Sequence, residues 1–306
     1  MPVAPDPHAP FGAYAHPGRL VSTEWLSANI GAPGLVIVES NEDAQLYDIG
    51  HVPGAIKIDG RRELEDGSMR DYIDGAAFTE LMRAKGIARE DTVVVYGDRG
   101  NAQAARTLWL FTLFGHEDVR LLDGGREAWI SESRDTTFEP PFPRRAEPYP
   151  PVRRDDGIAR AFRDDVLARL GSATVLDVRS AREYAGEANQ EPAGPAVAAL
   201  RGGHIPTAVN IDWSRAFAPD GRFRPRAELD AIYGELADNE ELLVYSGIGE
   251  RSSLSWFVLT HLLGRSGVRN YDGSWAEWGN SVRLPVVRGE EPGEAPARAG
   301  RRARAR

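Results

Sequence analysis

Short apolar runs alternate along the chain with segments of helical periodicity. The apolar runs lie at 35–39, 92–96, 174–178 and 242–245. They consist mostly of β-branched and aliphatic residues, which is typical of strands buried on both faces. Helical patterns follow the second and the fourth run, over 104–114 and 252–263. This alternation predicts an α/β fold in which parallel sheets are flanked by helices.

The pattern occurs twice, which indicates a duplicated domain. An early Gly-His-Val-Pro-Gly-Ala segment returns as Gly-His-Ile-Pro-Thr-Ala, and an Asp-Gly-Gly segment returns as Asp-Gly-Ser. The matching segments are 50–55 with 203–208, 92–96 with 241–245, 113–115 with 262–264, and 123–129 with 272–278. Because the matches keep their order and a near-constant spacing, we predict two tandem copies of one domain.

The repeat also sets the predicted boundaries. We expect a first domain at 16–135, a linker at 136–154, a second domain at 155–286 and a tail at 287–306. The linker is rich in proline, which predicts an extended strap that cannot enter a helix. The tail is rich in glycine, proline and charged residues, and it is predicted to be disordered.

Composition narrows the function classes. The chain has 306 residues, a formal net charge of −9 and no cysteine. An acidic protein is not expected to wrap nucleic acid. Without a long apolar run or a signal-like start, we expect no membrane span and a cytoplasmic location. The missing cysteine excludes disulfides, thiolate metal sites and cysteine nucleophiles. The histidines show no metal-ligand spacing, so we expect no metal and no cofactor, while the oligomeric state stays open.

The loop after the strand at 242–245 has the composition of an anion-binding cradle. It consists of Ser246, Gly247, Ile248, Gly249, Glu250, Arg251 and Ser252. Its glycines permit unusual backbone conformations, and N–H groups at a helix start attract anions. A guanidinium at position 251 can add a bidentate contact to an oxyanion. The alternative is a structural turn in which Ser252 caps the helix and Arg251 lies at the surface.

Four motifs carry a resemblance to a known family. They are Gly-His-Ile-Pro-x-Ala at 203–208, Leu-Asp-Val-Arg-Ser-x-x-Glu-Tyr at 176–184, Gly-Glu-Arg-Ser-Ser at 249–253 and Asn-Tyr-Asp-Gly-Ser-Trp-x-Glu-Trp at 270–278. In this order they resemble the tandem-domain rhodanese family of thiosulfate and 3-mercaptopyruvate sulfurtransferases. The resemblance spans nearly the whole folded chain. It implies two rhodanese-like domains, a non-catalytic first copy and a second copy with the active-site-type loop at 246–251.

In that family the first loop residue is a cysteine, which takes sulfur from a donor as a persulfide and passes it to an acceptor. Ser246 occupies that position here, and a serine hydroxyl does not support this thiolate exchange chemistry. Since no other cysteine exists in the chain, we expect that it cannot form a persulfide. The second loop residue also departs, because Gly247 stands where Arg is common in the thiosulfate-using branch.

Further departures fall in the cleft that the resemblance places between the domains. Gly60 and Arg61 stand where related proteins tend to carry a Trp-His pair, and Ala102 and Gln103 stand where they carry a Trp-Trp pair. Fewer aromatic residues and more arginines predict a wider, more cationic cleft that takes a small anionic ligand. The candidate cleft residues are Arg61, Arg62, Asp98, Arg106 and Arg179.

Three functions remain open at this stage, and whether the chain is an enzyme at all remains open with them. The first is a diverged, repurposed protein with an anion-binding interdomain cleft. The second is an ordinary thiosulfate sulfurtransferase captured as a Cys-to-Ser variant at position 246. The third is a non-enzymatic interaction paralogue. A related phosphatase is not expected, since its loop places five residues between Cys and Arg, whereas four separate Ser246 from Arg251.

Several other polar and aromatic residues are expected to be structural. His51 and His204 are predicted to brace the turns of the repeated motif. Paired charges after the strand at 174–178 favour a buried ion-pair network over a role in the cleft, and two tryptophans are expected to pack beneath it. These residues are Asp177, Arg179, Glu183, Trp275 and Trp278. His261 lies too far along its helix to act as a base for Ser246.

Overall fold

Each half of the chain folds around its own parallel sheet. The structure is a computed structural model that describes residues 3–68, 71–142, 148–188, 199–236 and 241–296. Within those ranges every helix is too short or too polar to cross a lipid bilayer. The predicted α/β class, with parallel sheets flanked by helices, is confirmed.

The first sheet lies in the N-terminal half. The strands of this half are β1 (Leu20–Val21), β2 (Leu35–Glu39), β3 (Ile56–Lys57), β4 (Glu65–Asp66), β5 (Asp71–Tyr72), β6 (Thr92–Tyr96) and β7 (Val119–Leu122). The sheet order is β1-β7-β6-β2-β3, while β4 and β5 form a separate antiparallel pair. The helices are α1 (Thr23–Asn29), α2 (Gly60–Glu63), α3 (Gly75–Ala84), α4 (Ala102–Leu113) and α5 (Gly125–Ser131).

The second sheet repeats this plan. Its strands are β8 (Thr174–Asp177), β9 (Ala208–Asn210), β10 (Leu242–Tyr245) and β11 (Val268–Asn270). The order β11-β10-β8-β9 is that of β7-β6-β2-β3 in the first sheet, so the duplication extends to the topology. The helices are α6 (Arg163–Arg169), α7 (Ala181–Ala185), α8 (Arg226–Tyr233), α9 (Glu250–Phe257) and α10 (Ser274–Trp278). A π-helical segment, Val258–Leu262, continues α9.

The central strands are buried along their whole length. Every residue of β2, β6 and β10 is buried, and Leu35 to Glu39 lie in register opposite Thr92 to Tyr96. Apolar side chains can point to both faces because helices cover both sides of a parallel sheet. The near-continuous apolar runs in the sequence are the result of this double burial.

The two domains share one hydrophobic core. Helices α4 and α9 pack against each other across the interface, and one buried cluster contains Leu108, Trp109 and Phe257. The indole N–H of Trp109 donates to the carbonyl of Ala159, at the start of the second domain (3.2 Å). Because each of these helices follows the loop after a central strand, the loops that precede α4 and α9 both open onto the interface.

The chain segment that follows each domain pairs with the buried histidine of that domain. The backbone of His51 exchanges two hydrogen bonds with Thr137, and the backbone of His204 does the same with Val287. Both imidazoles are fully buried and stack on a tyrosine, at 3.7 Å for His51 and 3.6 Å for His204. The predicted bracing role of the two histidines is therefore confirmed. We call the two segments, 137–139 and 287–292, the domain clasps.

The second clasp lies inside the predicted tail. Beyond Val287, the carbonyl of Glu291 contacts the His204 ring at 3.1 Å, and that of Pro292 accepts the N–H of Thr207 at 2.7 Å. Backbone contacts thus continue past the predicted boundary at 287. The sequence does not predict them, because composition carries no information on backbone pairing. Residues 297–306 of the predicted tail lie outside the described residues.

The linker packs against the first domain. Its described residues, 136–142 and 148–154, contain no helix. The Tyr149 side chain is fully buried, its hydroxyl contacts His116 Nδ1 at 2.8 Å, and its carbonyl accepts from the Arg83 guanidinium. These contacts fix the direction in which the chain enters the second domain.

Candidate functional site between the domains

The loop at 246–252 joins β10 to α9 at the domain interface. Gly249 has a φ of +103°, and a Cβ at this position would lie 3.0 Å from the Asp272 carbonyl oxygen. The left-handed conformation and the close approach both require glycine. The carbonyls of Ser246 and Gly247 accept N–H groups from α10 at 3.0 and 2.9 Å, so the loop is held against the segment after β11.

Ser246 is a buried structural residue of this loop. Its Oγ accepts the Gly249 N–H at 3.0 Å and lies 3.3 Å from the Ser252 hydroxyl. Its N–H donates to Ser274 Oγ at 3.0 Å. Among the described residues, Ser252 provides the side chain that hydrogen-bonds Ser246 Oγ, and a hydroxyl is no general base. The geometry therefore lacks the base that an activated serine nucleophile requires.

The histidine of the following helix is equally remote from this chemistry. His261 packs edge-on against Trp256 and Phe257, with ring centroids 5.2 Å apart in both pairs. Burial lowers the pKa of its imidazole to about 3. Its place is in the core beneath the N-terminal segment, in agreement with the structural role predicted for it.

A pocket of about 510 Å³ opens beside the loop, between the two domains. Its lining residues are Arg61, Glu65, Asp71, Tyr72, Arg106, Arg160, Ala161, Phe162, Ile248, Glu250, Tyr271, Asp272, Gly273 and Glu277. Two of them, Ile248 and Glu250, belong to the loop. Ser246 does not line the pocket, since its side chain is fully buried behind the loop.

Two of the three arginines of the pocket are neutralised by carboxylates. Arg106 donates to Glu65 at 2.6 Å and to the Tyr72 hydroxyl at 3.1 Å. Arg160 forms a bidentate pair with Asp272 at 2.8 and 3.1 Å and a further contact to Asp71 at 2.7 Å. Burial opposes both charges, yet the neighbouring acidic groups raise the pKa of both guanidiniums.

Three charged groups of the pocket remain without an ion pair among the described residues: Arg61, Glu250 and Glu277. Burial raises the pKa of Glu250, while the charges of Arg106 and Arg61 partly offset that rise. Glu277 accepts a hydrogen bond from the Tyr271 hydroxyl at 2.9 Å. The unpaired charges are therefore two carboxylates and one guanidinium.

Three other predicted cleft residues lie away from the pocket. Arg62 points to solvent, with 86% of its side chain exposed. Asp98 is buried and accepts the N–H of Glu42 at 2.7 Å, and burial raises its pKa. Arg179 is 2% exposed, pairs with the fully buried Asp177, and stacks on Trp275 at 4.6 Å. The buried ion-pair network expected at this strand end is confirmed.

The loop arginine, Arg251, forms a salt bridge. Arg251 donates both terminal nitrogens to Glu183, at 3.0 and 2.9 Å. Burial alone would raise the pKa of Glu183, but the Arg251 guanidinium lowers it below its usual value. Both residues line a second, smaller cavity of about 250 Å³. Arg251 therefore pairs with a carboxylate, and not with the oxyanion that the loop composition predicts.

Gly60 and Gln103, which come from the two segments expected to differ from the family, pack against each other. A Cβ at Gly60 would lie 1.8 Å from Nε2 of Gln103, so the glutamine amide fills the space above the glycine. Gln103 is only 4% exposed, and this Nε2 has no hydrogen-bond partner within the described structure. Gln103 Nε2 is therefore a buried donor that no described residue satisfies.

Several pocket residues are not found by sequence reasoning. Glu65, Asp71, Tyr72, Arg160 and Phe162 lie outside the repeated motifs, in the β4–β5 hairpin and in the segment that follows the linker. Three more belong to the second Asp-Gly motif, which the repeat does indicate: Asp272, Gly273 and Glu277. The first group meets the loop only because the domains pack together.

A family model described as "Rhodanese-like domain" matches the chain twice, over residues 22–132 and 162–281. Among curated proteins, "Putative thiosulfate sulfurtransferase SseA" of Mycobacterium tuberculosis is 58% identical over 296 residues, which cover 97% of this chain and 99% of the relative. "Thiosulfate sulfurtransferase" of Corynebacterium glutamicum is 55% identical, covering 93% and 95%. "Sulfur carrier protein TtuD" of Thermus thermophilus is 47% identical, covering 91% and 99%.

Solved structures share the architecture at lower identity. The structure described as "Crystal structure of YnjE" aligns with a TM-score of 0.78 and 24% identity, and covers 91% of this chain and 70% of that one. "The structure of EanB/Y353A complex with ergothioneine" aligns with a TM-score of 0.76 and 25% identity, covering 90% and 71%. These alignments bear on the fold.

Proposed function

Because the chain belongs to the rhodanese family, we propose that it is a diverged member that does not transfer sulfur through residue 246. Instead of transferring sulfur, the protein binds a small ligand with an anionic group in its interdomain pocket. The observation that carries the proposal is the first residue of the loop, where a buried serine hydroxyl is bonded to its own loop.

The chemistry of sulfur and oxygen separates the two residue types. A thiolate accepts a sulfur atom as a persulfide and releases it by exchange, whereas a serine hydroxyl does neither. The chain contains no cysteine at any position, so no other side chain can hold the sulfur. Formation of a persulfide on this polypeptide is therefore excluded.

The pocket supports the ligand-binding part of the proposal. Its volume of about 510 Å³ falls in the range of small-molecule sites. Arg61 lines it without an ion pair among the described residues and can hold an anionic group. Arg62, which lies next to it in sequence, is exposed outside the pocket and serves as a matched control.

A second candidate is favoured by the relatives. Proteins named thiosulfate sulfurtransferase are 55–58% identical over nearly the whole chain. This similarity suits a sulfurtransferase scaffold in which serine occupies the cysteine position and the donor pocket is otherwise intact. Under this alternative, Ser246→Cys alone restores activity.

The two candidates are separated by a thiosulfate:cyanide sulfurtransferase assay on the unmodified chain and on Ser246→Cys. We expect no turnover by the unmodified chain and none by the folded cysteine variant. Robust turnover by the variant would favour the second candidate. Turnover by the unmodified chain would overturn the proposal. Circular dichroism and the melting temperature check that the variant is folded.

A further inference from the structure

The unpaired charges of the interdomain pocket do not suit a simple oxyanion. Once the arginine–carboxylate pairs are set aside, Arg61 faces a pocket that also contains Glu250 and Glu277. A doubly charged anion held by Arg61 would share the pocket with two carboxylates. Like charges placed together in one pocket are unfavourable. The charge balance of the lining therefore favours a ligand that also carries a positive charge.

Building on the proposed ligand role of this pocket, we propose that the ligand is a small zwitterion. Its anionic group binds Arg61, and its ammonium group binds Glu250 and Glu277. Hydrogen bonds between charged groups are short and about twice as strong as neutral ones, so both ends of such a ligand are recognised. A ligand of this class also supplies each of the three groups with a counter-charge.

The three groups come from different parts of the fold. Arg61 lies on α2 of the first domain, Glu250 begins α9, and Glu277 lies on α10 of the second domain. A ligand that joins them spans the domain interface. The Tyr271 hydroxyl fixes the Glu277 carboxylate, and the Phe162 ring lines the same pocket.

The test uses a matched series of probes. Each ω-amino acid from glycine to 6-aminohexanoate is compared with the carboxylate and the amine of the same chain length, by calorimetric titration and by the shift in melting temperature. We expect at least one ω-amino acid to bind about tenfold more tightly than both partners, since one charged hydrogen bond contributes about that factor.

Isosteric variants locate the charges. Glu250→Gln and Glu277→Gln are each expected to reduce the affinity for that ω-amino acid about fivefold or more, and to leave carboxylate binding unchanged or improved. Arg61→Gln is expected to weaken both the ω-amino acid and the carboxylate. The surface variants Arg62→Gln and Glu80→Gln should change neither, since both side chains are largely exposed outside the pocket.

Each outcome separates the inference from the proposed function. If carboxylates bind as tightly as their ω-amino partners throughout the series, the zwitterion inference is overturned while the anion-binding role stands. If no member of the series binds, in titration or in thermal shift, both fail. Binding of the amines alone would also overturn both, because no anionic group is then needed. Circular dichroism of each variant excludes loss of fold as the cause.

Discussion

Replacing Arg179 tests the distinction between a structural and a ligand-binding arginine. Its guanidinium makes three contacts of 2.5–3.1 Å with Asp177 and one of 2.8 Å with the Gly203 carbonyl. Both members of the pair are almost fully buried, at 2% and 0% exposure. Arg179→Gln removes the positive charge and leaves the Asp177 carboxylate buried.

The expected cost follows from the contacts that remain. Asp177 keeps the Tyr245 hydroxyl at 2.6 Å and the backbone N–H of residue 179 at 3.0 Å, but it loses its counter-charge. Breaking a buried ion pair from one side costs about 3–5 kcal/mol. For a domain of this size the melting temperature falls by about 2–4 °C per kcal/mol, so we expect a decrease of about 10 °C.

The assay combines urea unfolding, followed by tryptophan fluorescence, with ligand titration of the folded variant. The double variant Asp177→Asn/Arg179→Gln should lose less stability than the sum of the single variants, because no buried charge remains. Arg62→Gln at the surface should stay within about 0.5 kcal/mol of the parent. A loss below about 1 kcal/mol for Arg179→Gln, or weaker ligand binding at unchanged stability, would refute the structural assignment.

Three further predictions concern stability. Burial raises the pKa of Asp123 to about 7. Between about pH 4 and 7 the folded chain therefore keeps a proton on this carboxyl that the unfolded chain releases. The free energy of unfolding falls as pH rises through this window. Asp123→Asn keeps an acceptor for the Phe223 N–H and should raise the melting temperature more at pH 8 than at pH 5; an equal effect at both pH values contradicts this. Gly249→Ala should cost about 2 kcal/mol or more in urea unfolding, while Gly221→Ala, also at positive φ but in open space, should cost about 1 kcal/mol; equal losses argue against the close approach. Trp109→Ala should lower the free energy of unfolding by about 4 kcal/mol and separate the transitions of the two domains, whereas a single unchanged transition would show that Trp109 does not contribute to the coupling between them.

The sheet elements follow closely from the sequence. The apolar runs at 35–39, 92–96 and 242–245 coincide with β2, β6 and β10, since strands buried on both faces have apolar residues at nearly every position. Helix bounds are less accurate. The predicted helix at 252–263 begins two residues earlier as α9 and changes to a π-helical segment at Val258, where local periodicity does not distinguish the two geometries.

The site was less predictable than the fold. The sequence supplies Arg61 and Arg106 as candidate cations, but the partner of Arg106 is Glu65, in a hairpin that carries no motif. Arg160 likewise pairs with Asp272 across the second domain. Such pairs depend on tertiary packing, so a count of arginines overstates the positive charge that a ligand meets.

The domain clasps change where each repeated unit ends. Each copy consists of a sheet domain together with the segment that returns to its buried histidine. Residues 137–139 therefore correspond to 287–292 in structure, although their sequences show no evident match and the first set lies in the predicted linker. The connection between the two units is thus the shorter stretch between Glu139 and the second domain, and a separately produced domain should include its clasp.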